Sequence, residues 1–148
     1  MANKKGKSSV SELCIRPDAW AVMLEHSRSA YPEECCGAML GQDREVREAV
    51  PLTNSFAGSR RNRYEIRPEE LLAATRAARD RGLRILGIYH SHPGRDAHFS
   101  AADLKNSCPW YCFLVLSMRR GEFHHAACWR PNTAQTAAEE IGYRLLEA

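Results

Sequence analysis

His90, His92 and Asp103 fall within one short segment, residues 90–103, which reads HSHPGRDAHFSAAD. His90 and His92 end an apolar run of strand length, and on a strand residues two apart point to the same face. Asp103 follows eleven residues after His92, beyond a Pro-Gly loop that can fold the next helix back over the strand end. Two imidazoles and one carboxylate leave a fourth position of a zinc ion open to water, the pattern of a hydrolytic site. The segment therefore predicts one Zn²⁺ per chain, where bound water has its pKa lowered to about 7.

The same residues also have a purely structural interpretation. A His-x-His pair is common without a metal, and Ser100 with Asp103 fits a helix capping box. A strand before the segment and a helix after it are harder to explain in that way. We therefore favour the metal site.

A zinc hydrolase also needs a general base, and Glu33-Glu34 is the candidate pair. Both glutamates come directly before the Cys35-Cys36-Gly37 strand, where a carboxylate can project beside a metal. From this stretch alone, both also fit solvated loop residues. We expect Glu33 to be solvated and take Glu34 as the candidate base.

Alternating apolar patterns, prolines and glycines divide the chain into helices and strands. Pro17 and Pro68 open helices, and Gly82 ends one. The predicted helices are 18–29, 69–80, 100–106 and 133–146. The predicted strands are 36–40, 45–50, 64–67, 83–89, 110–118 and 122–129. This interleaving predicts one α/β (α+β) domain with a mixed central sheet flanked by helices.

Composition sets the broad class. The chain has 148 residues, 44% hydrophobic and 26% charged, which is enough for one domain with a core. Its net charge of +3 is accounted for by Lys4, Lys5 and Lys7 in the first nine residues. We therefore expect a disordered basic tail at 1–11 and a domain without net charge at 12–148. A neutral domain argues against general nucleic-acid binding. With no membrane helix or signal peptide expected, the six cysteines are interpreted as reduced and the compartment as the cytoplasm.

Taken together, these motifs resemble the JAMM (MPN+) metalloprotease family. The matching residues are ECCGAMLG at 34–41, His90-Ser91-His92-Pro93 and, six residues later, Ser100-Ala101-Ala102-Asp103. The family signature is a glutamate three residues before a glycine strand, then His-x-His-Pro, six or seven residues, and Ser-x-x-Asp. The resemblance covers about residues 12–130. Phe99 departs from the proline that often precedes the serine, which changes no functional group.

The resemblance implies a fold and a set of roles. The fold is a single JAMM/MPN-like domain of the cytidine-deaminase-like architecture. His90, His92 and Asp103 would bind zinc with water as fourth ligand, Glu34 would move the proton, and Ser100 would stabilise the oxyanion. The small bacterial members resemble enzymes that process ubiquitin-like sulfur-carrier proteins, by cleaving after the C-terminal Gly-Gly or releasing cysteine from a carrier adduct.

Two other functions remain open from the sequence. One is a non-catalytic MPN-type interaction domain, and the other is a zinc amidohydrolase that acts on a small molecule. Of the remaining residues, Arg60, Arg61 and Arg63 form a basic loop that could meet an acidic carrier or simply be solvated. His98 is expected to be exposed. The neighbours His124 and His125 are expected to face opposite ways on a strand, which would prevent them from chelating one ion.

Overall fold

The structure is a computed structural model that describes residues 3–4 and 12–148. Apart from Asn3–Lys4, the basic tail predicted at 1–11 lies outside the described residues. The helices are α1 (Pro17–Ala30), α2 (Pro68–Asp80) and α3 (Ala101–Lys105). The strands are β1 (Asn3–Lys4), β2 (Leu13–Ile15), β3 (Cys36–Gln42), β4 (Glu45–Leu52), β5 (Arg84–Pro93), β6 (Cys112–Arg119), β7 (Glu122–Pro131), β8 (Ala138–Ile141) and β9 (Tyr143–Leu145).

The strands of the described residues form one sheet in the order β1-β9-β2-β4-β3-β5-β6-β7-β8. Three pairs are parallel, namely β2 with β4, β2 with β9, and β5 with β6. The remaining pairs are antiparallel. The mixed sheet predicted from the sequence is therefore confirmed.

The two longer helices cover opposite faces of this sheet. On the α1 face, Met23 packs into a core that includes Met39, Tyr89 and Leu114. On the α2 face, small side chains of the helix, Ala74 and Ala78, pack with Ala38, Leu40 and Ile85. Because both faces are covered, β3, β5 and β6 are buried along almost their whole length, which explains their continuous apolar runs.

Strand β5 lies near the centre of the sheet and carries both histidines of the motif. It runs through to Pro93, four residues beyond the predicted end at Tyr89, so His90 and His92 are strand residues with one orientation. A parallel crossover through α3 connects it to β6. That crossover brings Asp103 back to the carboxyl end of β5, where open α/β sheets bind their ligands.

Gly37 of the ECCG motif has a packing role beside this strand. A Cβ on Gly37 would lie 2.3 Å from the ring of Tyr89 on β5. Tyr89 is fully buried, and its hydroxyl is hydrogen-bonded to His26. The ring therefore has little freedom to move, which accounts for glycine at this position.

Three predictions from the sequence are wrong. The helix predicted at 133–146 is two strands, β8 and β9, joined at Gly142. Strand β8 pairs with β7, and β9 pairs with β2, which buries Ile141 and Tyr143. Pairing at the two sides of the sheet thus outweighs the helical propensity of this alanine- and glutamate-rich stretch.

The segment 64–67, predicted as a strand, is extended but not part of the sheet. Its main chain is held by residues 54 and 55 instead: Glu65 donates its N–H to the Asn54 side chain and accepts the N–H of Ser55. The side-chain amide of Asn54 thus takes the place that a neighbouring strand would fill.

His124 and His125 do not face opposite ways. The register of β7 against β6 shifts between Ser117, which pairs with His125, and Met118, which pairs with Phe123. The bulge adds His124 as an extra residue and breaks the alternation of side chains. As a result the two Nδ1 atoms are 2.7 Å apart.

Among the described residues, no helix combines the length and apolar character needed to span a membrane.

Candidate metal centre

The three predicted ligands meet in a buried cluster. His92 Nε2 lies 3.0 Å from Asp103 Oδ2, and His90 Nε2 lies 3.2 Å from Asp103 Oδ1. One ligand atom from each residue falls within 4.8 Å of the others. All three side chains are buried. The structure therefore brings these residues together as the sequence predicts.

Each ligand is held by a separate contact. His92 donates its Nδ1–H to the carbonyl oxygen of Asp96 at 2.8 Å, and the ring of His90 stacks on Tyr64 with centroids 4.5 Å apart. Asp103 is fixed by the capping box of α3, in which its N–H donates to Ser100 Oγ and its Oδ2 accepts the N–H of Ser100. The structural interpretation of Ser100 and Asp103 is thus correct and positions the carboxylate at the same time.

The donor atoms fit a metal ion. The Nδ1–H of His92 is bound to the Asp96 carbonyl oxygen, and Nε2 lies 3.0 Å from a carboxylate oxygen of Asp103, the arrangement in which an outer partner orients a metal-binding imidazole. Both nitrogens of His90 are buried, and no described residue gives either a hydrogen bond, since the 3.2 Å approach of Nε2 to Asp103 lacks suitable geometry. Buried polar atoms without partners are costly. Two imidazole nitrogens and a carboxylate suit zinc.

The two neighbouring histidines control the ionisation of the Asp103 carboxyl. Burial by itself would raise the pKa of the Asp103 carboxyl, but His90 and His92 outweigh burial and hold that pKa well below its usual range. The carboxylate is therefore ionised at neutral pH, the form that binds a metal.

Glu34 lies beside this cluster as a buried carboxylate. Its main chain is fixed on both sides, because its N–H donates to the carbonyl oxygen of Arg60 at 2.7 Å and its carbonyl oxygen accepts from Asn54 Nδ2 at 3.0 Å. Its Oε2 is bound by the guanidinium of Arg95. Its Oε1 is buried and has no hydrogen-bond partner among the described residues. One carboxylate oxygen is thus held and the other is left for a ligand.

Burial raises the pKa of Glu34 to about 7, against the opposing effects of His92 and Arg95. In the metal-free protein, the folded state therefore holds a proton on Glu34 between pH 4.5 and 7, where the unfolded state does not. The free energy of unfolding then falls as the pH rises through this window. Above pH 7 the total loss is about 3 kcal/mol.

Glu34→Gln should remove this dependence in metal-free protein. We expect the free energy of unfolding of Glu34→Gln, relative to wild type, to rise by about 3 kcal/mol between pH 5 and pH 8. Urea unfolding with a chelator present measures it. Glu33→Gln is the matched control, because Glu33 is partly exposed and pairs with Arg60. A difference between Glu34→Gln and wild type that stays constant with pH would contradict the assignment.

Sequence reasoning missed the residues that hold the site together. Arg95 lies inside the motif segment, but nothing local indicates that it meets a glutamate 61 residues earlier. Asn54 likewise carries no local signal, although its amide supports both Glu34 and Arg63. Ser91, between the two histidines, accepts the N–H of Cys35 on the other face of the strand. Alternation along β5 could have predicted only the direction of this last side chain.

The loop 94–99 is anchored rather than free. Gly94 donates its N–H to Met118, and Ser117 Oγ donates to the carbonyl oxygen of Arg95. Ala97 is buried, with its N–H bound to His125 Nε2 and its carbonyl oxygen to Trp129 Nε1. The loop therefore presents Arg95 and the Asp96 carbonyl oxygen in fixed positions. His98 of the same loop is exposed, as predicted.

Asp96, His124 and His125 form a second group with ligand atoms within 4.8 Å. Their contacts already account for this cluster. His125 Nε2 accepts the N–H of Ala97, so its hydrogen lies on Nδ1 and is shared with His124. The carboxylate of Asp96 is paired with Arg119 at 2.8 Å. These contacts brace the loop.

A mixed sheet with His-x-His on a central strand, a capping aspartate that meets it and a buried glutamate just before the neighbouring strand match the pattern of a JAMM-type hydrolase domain. The family model of prokaryotic homologs of the JAB domain matches residues 16–132. The chain belongs to this family, which confirms the resemblance found in the motifs, and it is an enzyme of the hydrolase class.

Individual relatives and solved structures to which the chain is similar point to the same family. The chain is 36% identical over 114 residues to a desampylase of Haloferax volcanii, covering 72% of this chain and 81% of the relative. It is 32% identical over 128 residues to the CysO-cysteine peptidase of Mycobacterium tuberculosis, covering 84% and 86%. Among solved structures, a Desulfitobacterium hafniense protein superimposes with a TM-score of 0.80 at 27% identity, covering 92% of this chain and 94% of the other. A JAB1/MPN domain protein from Archaeoglobus fulgidus shares the fold, with a TM-score of 0.61 at 17% identity and coverage of 93% and 99%.

Proposed function

We propose that this chain is a zinc-dependent peptidase that cleaves the bond after the C-terminal Gly-Gly of a ubiquitin-like sulfur-carrier protein. One observation carries the proposal. A partnerless buried oxygen of Glu34 lies beside a buried His90-His92-Asp103 ligand set, close enough for the charges of His92 and Asp103 to act on the pKa of Glu34. A metal ligand set next to a free base is what hydrolysis of an amide requires.

His90, His92 and Asp103 hold the zinc in this proposal. Zinc bound there supplies Lewis-acid chemistry, polarising a carbonyl group and making water more acidic. Glu34 accepts a proton from the attacking water at Oε1 and later gives it to the leaving amine.

Ser100 contributes a hydrogen-bond donor. Its Oγ accepts the N–H of Asp103 at 3.0 Å within the capping box. The hydroxyl hydrogen is therefore left to donate to the oxygen that becomes negative as the carbonyl is attacked.

Two adjoining hollows give an extended tail a way in. A hollow of about 280 Å³ reaches Asp103 between Phe56, Arg63 and Ala102. A more apolar one of about 440 Å³ continues from it, with Tyr64 and Asn106 lining both. Trp110, which also lines the larger hollow, is 70% exposed. Glycines have no side chains to clash with the walls of these hollows, which suits a Gly-Gly tail.

The relatives support a protein substrate. The Mycobacterium tuberculosis relative is named for the CysO-cysteine conjugate, and the desampylase name also occurs in Pyrococcus furiosus, at 30% identity over 125 residues. The basic loop can add a docking contact for an acidic carrier. Arg60 there pairs with Glu33, and Arg63 stacks over Phe56, while Arg61 is exposed. Six free cysteines suit a reducing compartment, and we place the reaction in the cytoplasm.

The proposal is tested with two kinds of substrate. We expect zinc-loaded protein to cleave a ubiquitin-like carrier that ends in Gly-Gly-X, and to leave small amides such as acetyl-Gly-Gly-amide almost intact. Mass spectrometry of the intact carrier gives the cleavage position. A matched carrier ending in Ala-Ala-X is the control for the tail. Hydrolysis of small amides without carrier cleavage would favour a small-molecule amidohydrolase instead, and binding of the carrier without cleavage would favour an interaction domain.

A further inference from the structure

Resting on the proposed function, we infer that Arg95 binds the free α-carboxylate of a single amino acid attached after the carrier's Gly-Gly. The leaving group is then an α-amino acid with its own carboxylate, rather than the lysine side chain of a target protein. Arg95 is thus a residue that determines specificity for the leaving group.

Arg95 is fixed where such a group would lie. Its carbonyl oxygen is bound by Ser117, and Gly94 before it is bound to Met118 on β6. Its guanidinium contacts Glu34 Oε2, and the side chain as a whole is 31% exposed. Its Nε is buried and has no hydrogen-bond partner among the described residues. The Arg95 side chain therefore contacts the proposed base and is also open to solvent, with donor capacity to spare.

The position of the leaving amine follows from the role of Glu34. To receive its proton, the amine nitrogen must come within about 3 Å of the Glu34 carboxylate. In an α-amino acid the carboxylate carbon is two bonds from that nitrogen, about 2.5 Å away. A guanidinium already in contact with Glu34 is thus within reach of the α-carboxylate. Its planar fork matches a carboxylate in two-point contact.

A lysine side chain as leaving group has no carboxylate next to the leaving nitrogen. Its ε-nitrogen is followed by four methylene groups, so no carboxylate lies near the position that Arg95 reaches. A longer peptide after Gly-Gly would have a neutral amide there. Hydrolysis places hydroxyl on the glycine carbonyl carbon and hydrogen on the amine, releasing the carrier with a free Gly-Gly terminus and one amino acid.

Charge also favours the assignment. A substrate carboxylate near Glu34 would be repelled by it unless a cation lay between the two. Among the described residues, Arg95 is the cation that contacts Glu34. Arg60 and Arg119 are engaged elsewhere, with Glu33 and Asp96.

The test compares two carriers that differ in one group. One ends in Gly-Gly-Ala with a free carboxylate, and the other ends in Gly-Gly-Ala-amide. We expect wild-type kcat/KM to favour the acid by roughly tenfold or more, the size expected for a charge-assisted pair. Arg95→Met should bring the ratio close to one, chiefly by slowing the acid. Arg95→Lys keeps the charge but not the fork and should retain part of the preference.

Arg119→Met is the matched control, since Arg119 braces the same loop through Asp96 without facing Glu34. Its acid-to-amide ratio should equal that of wild type. Equal rates of wild type on both carriers would overturn the inference and leave the proposed function standing, whereas cleavage of neither would count against the proposed function itself. If Arg95→Met or Arg95→Lys slowed both carriers equally, Arg95 would be a positioning residue for Glu34, and the carboxylate assignment would be wrong.

Discussion

Glu34→Gln should lower kcat/KM for cleavage of a Gly-Gly-X carrier by roughly 100- to 10,000-fold, the usual contribution of a general base. Glutamine has nearly the same shape and keeps a hydrogen-bond acceptor, but it cannot take the proton of the attacking water. Because Glu34 is not among the three proposed ligands, zinc content should remain that of wild type. Steady-state kinetics and elemental analysis on the same preparation measure both quantities.

Glu33→Gln provides the matched control for this loss of activity. The two glutamates are adjacent and carry the same charge, but Glu33 is partly exposed and pairs with Arg60, whereas Glu34 is 1% exposed. Full activity of Glu33→Gln together with the loss in Glu34→Gln would assign the proton transfer to the buried carboxylate. Near wild-type activity of Glu34→Gln would remove Glu34 from the reaction.

Wild-type protein should contain about one zinc ion per chain, and His92→Ala should contain almost none. The change removes one of the three ligands, and the two that remain, His90 and Asp103, bind zinc far more weakly. Zinc should raise the melting temperature of wild type and leave that of His92→Ala unchanged, because a ligand that binds only the folded state stabilises it.

His98→Ala is the control for the metal experiment. His98 lies in the same loop with its ring 5.0 Å from that of His92, but it is exposed and outside the ligand cluster. Zinc content in His98→Ala should match wild type. Wild type that stays free of zinc after zinc is supplied, or His92→Ala that retains it, would contradict the proposed ligand set.

The ligand cluster could be predicted because its information is local. His90 and His92 share a face by strand alternation, and Asp103 is placed by a capping box that the sequence itself spells out. The apolar runs of β5 and β6 were equally clear, because strands buried on both faces show no polar alternation. These features depend on residues no more than about a dozen positions apart.

The features that could not be predicted depend on distant partners. The helix expected at 133–146 is absent because its residues pair with the preceding strand β7 and with β2, which is far away in sequence. The bulge at His124 arises from register against β6 and has no sequence signal of its own. Arg95 meets Glu34 only once β3 and β5 are aligned, and Asn54 meets Glu34 only once β3 and β4 are aligned. Propensity and spacing contain none of this information.

The topology also implies an order in which metal binding and hydrolysis become possible as the chain folds. All three proposed ligands lie in one crossover, β5-α3-β6, with Asp103 only eleven residues after His92, whereas Glu34 reaches them through pairing of β3 with β5 across 58 residues of chain. Short loops close faster than long-range strand pairs form. We therefore expect a folding chain to acquire metal affinity before it acquires hydrolytic power. Proteolytic competence would then arise only when the long-range half of the sheet is assembled, so an incompletely folded chain would sequester the ion without cutting its neighbours.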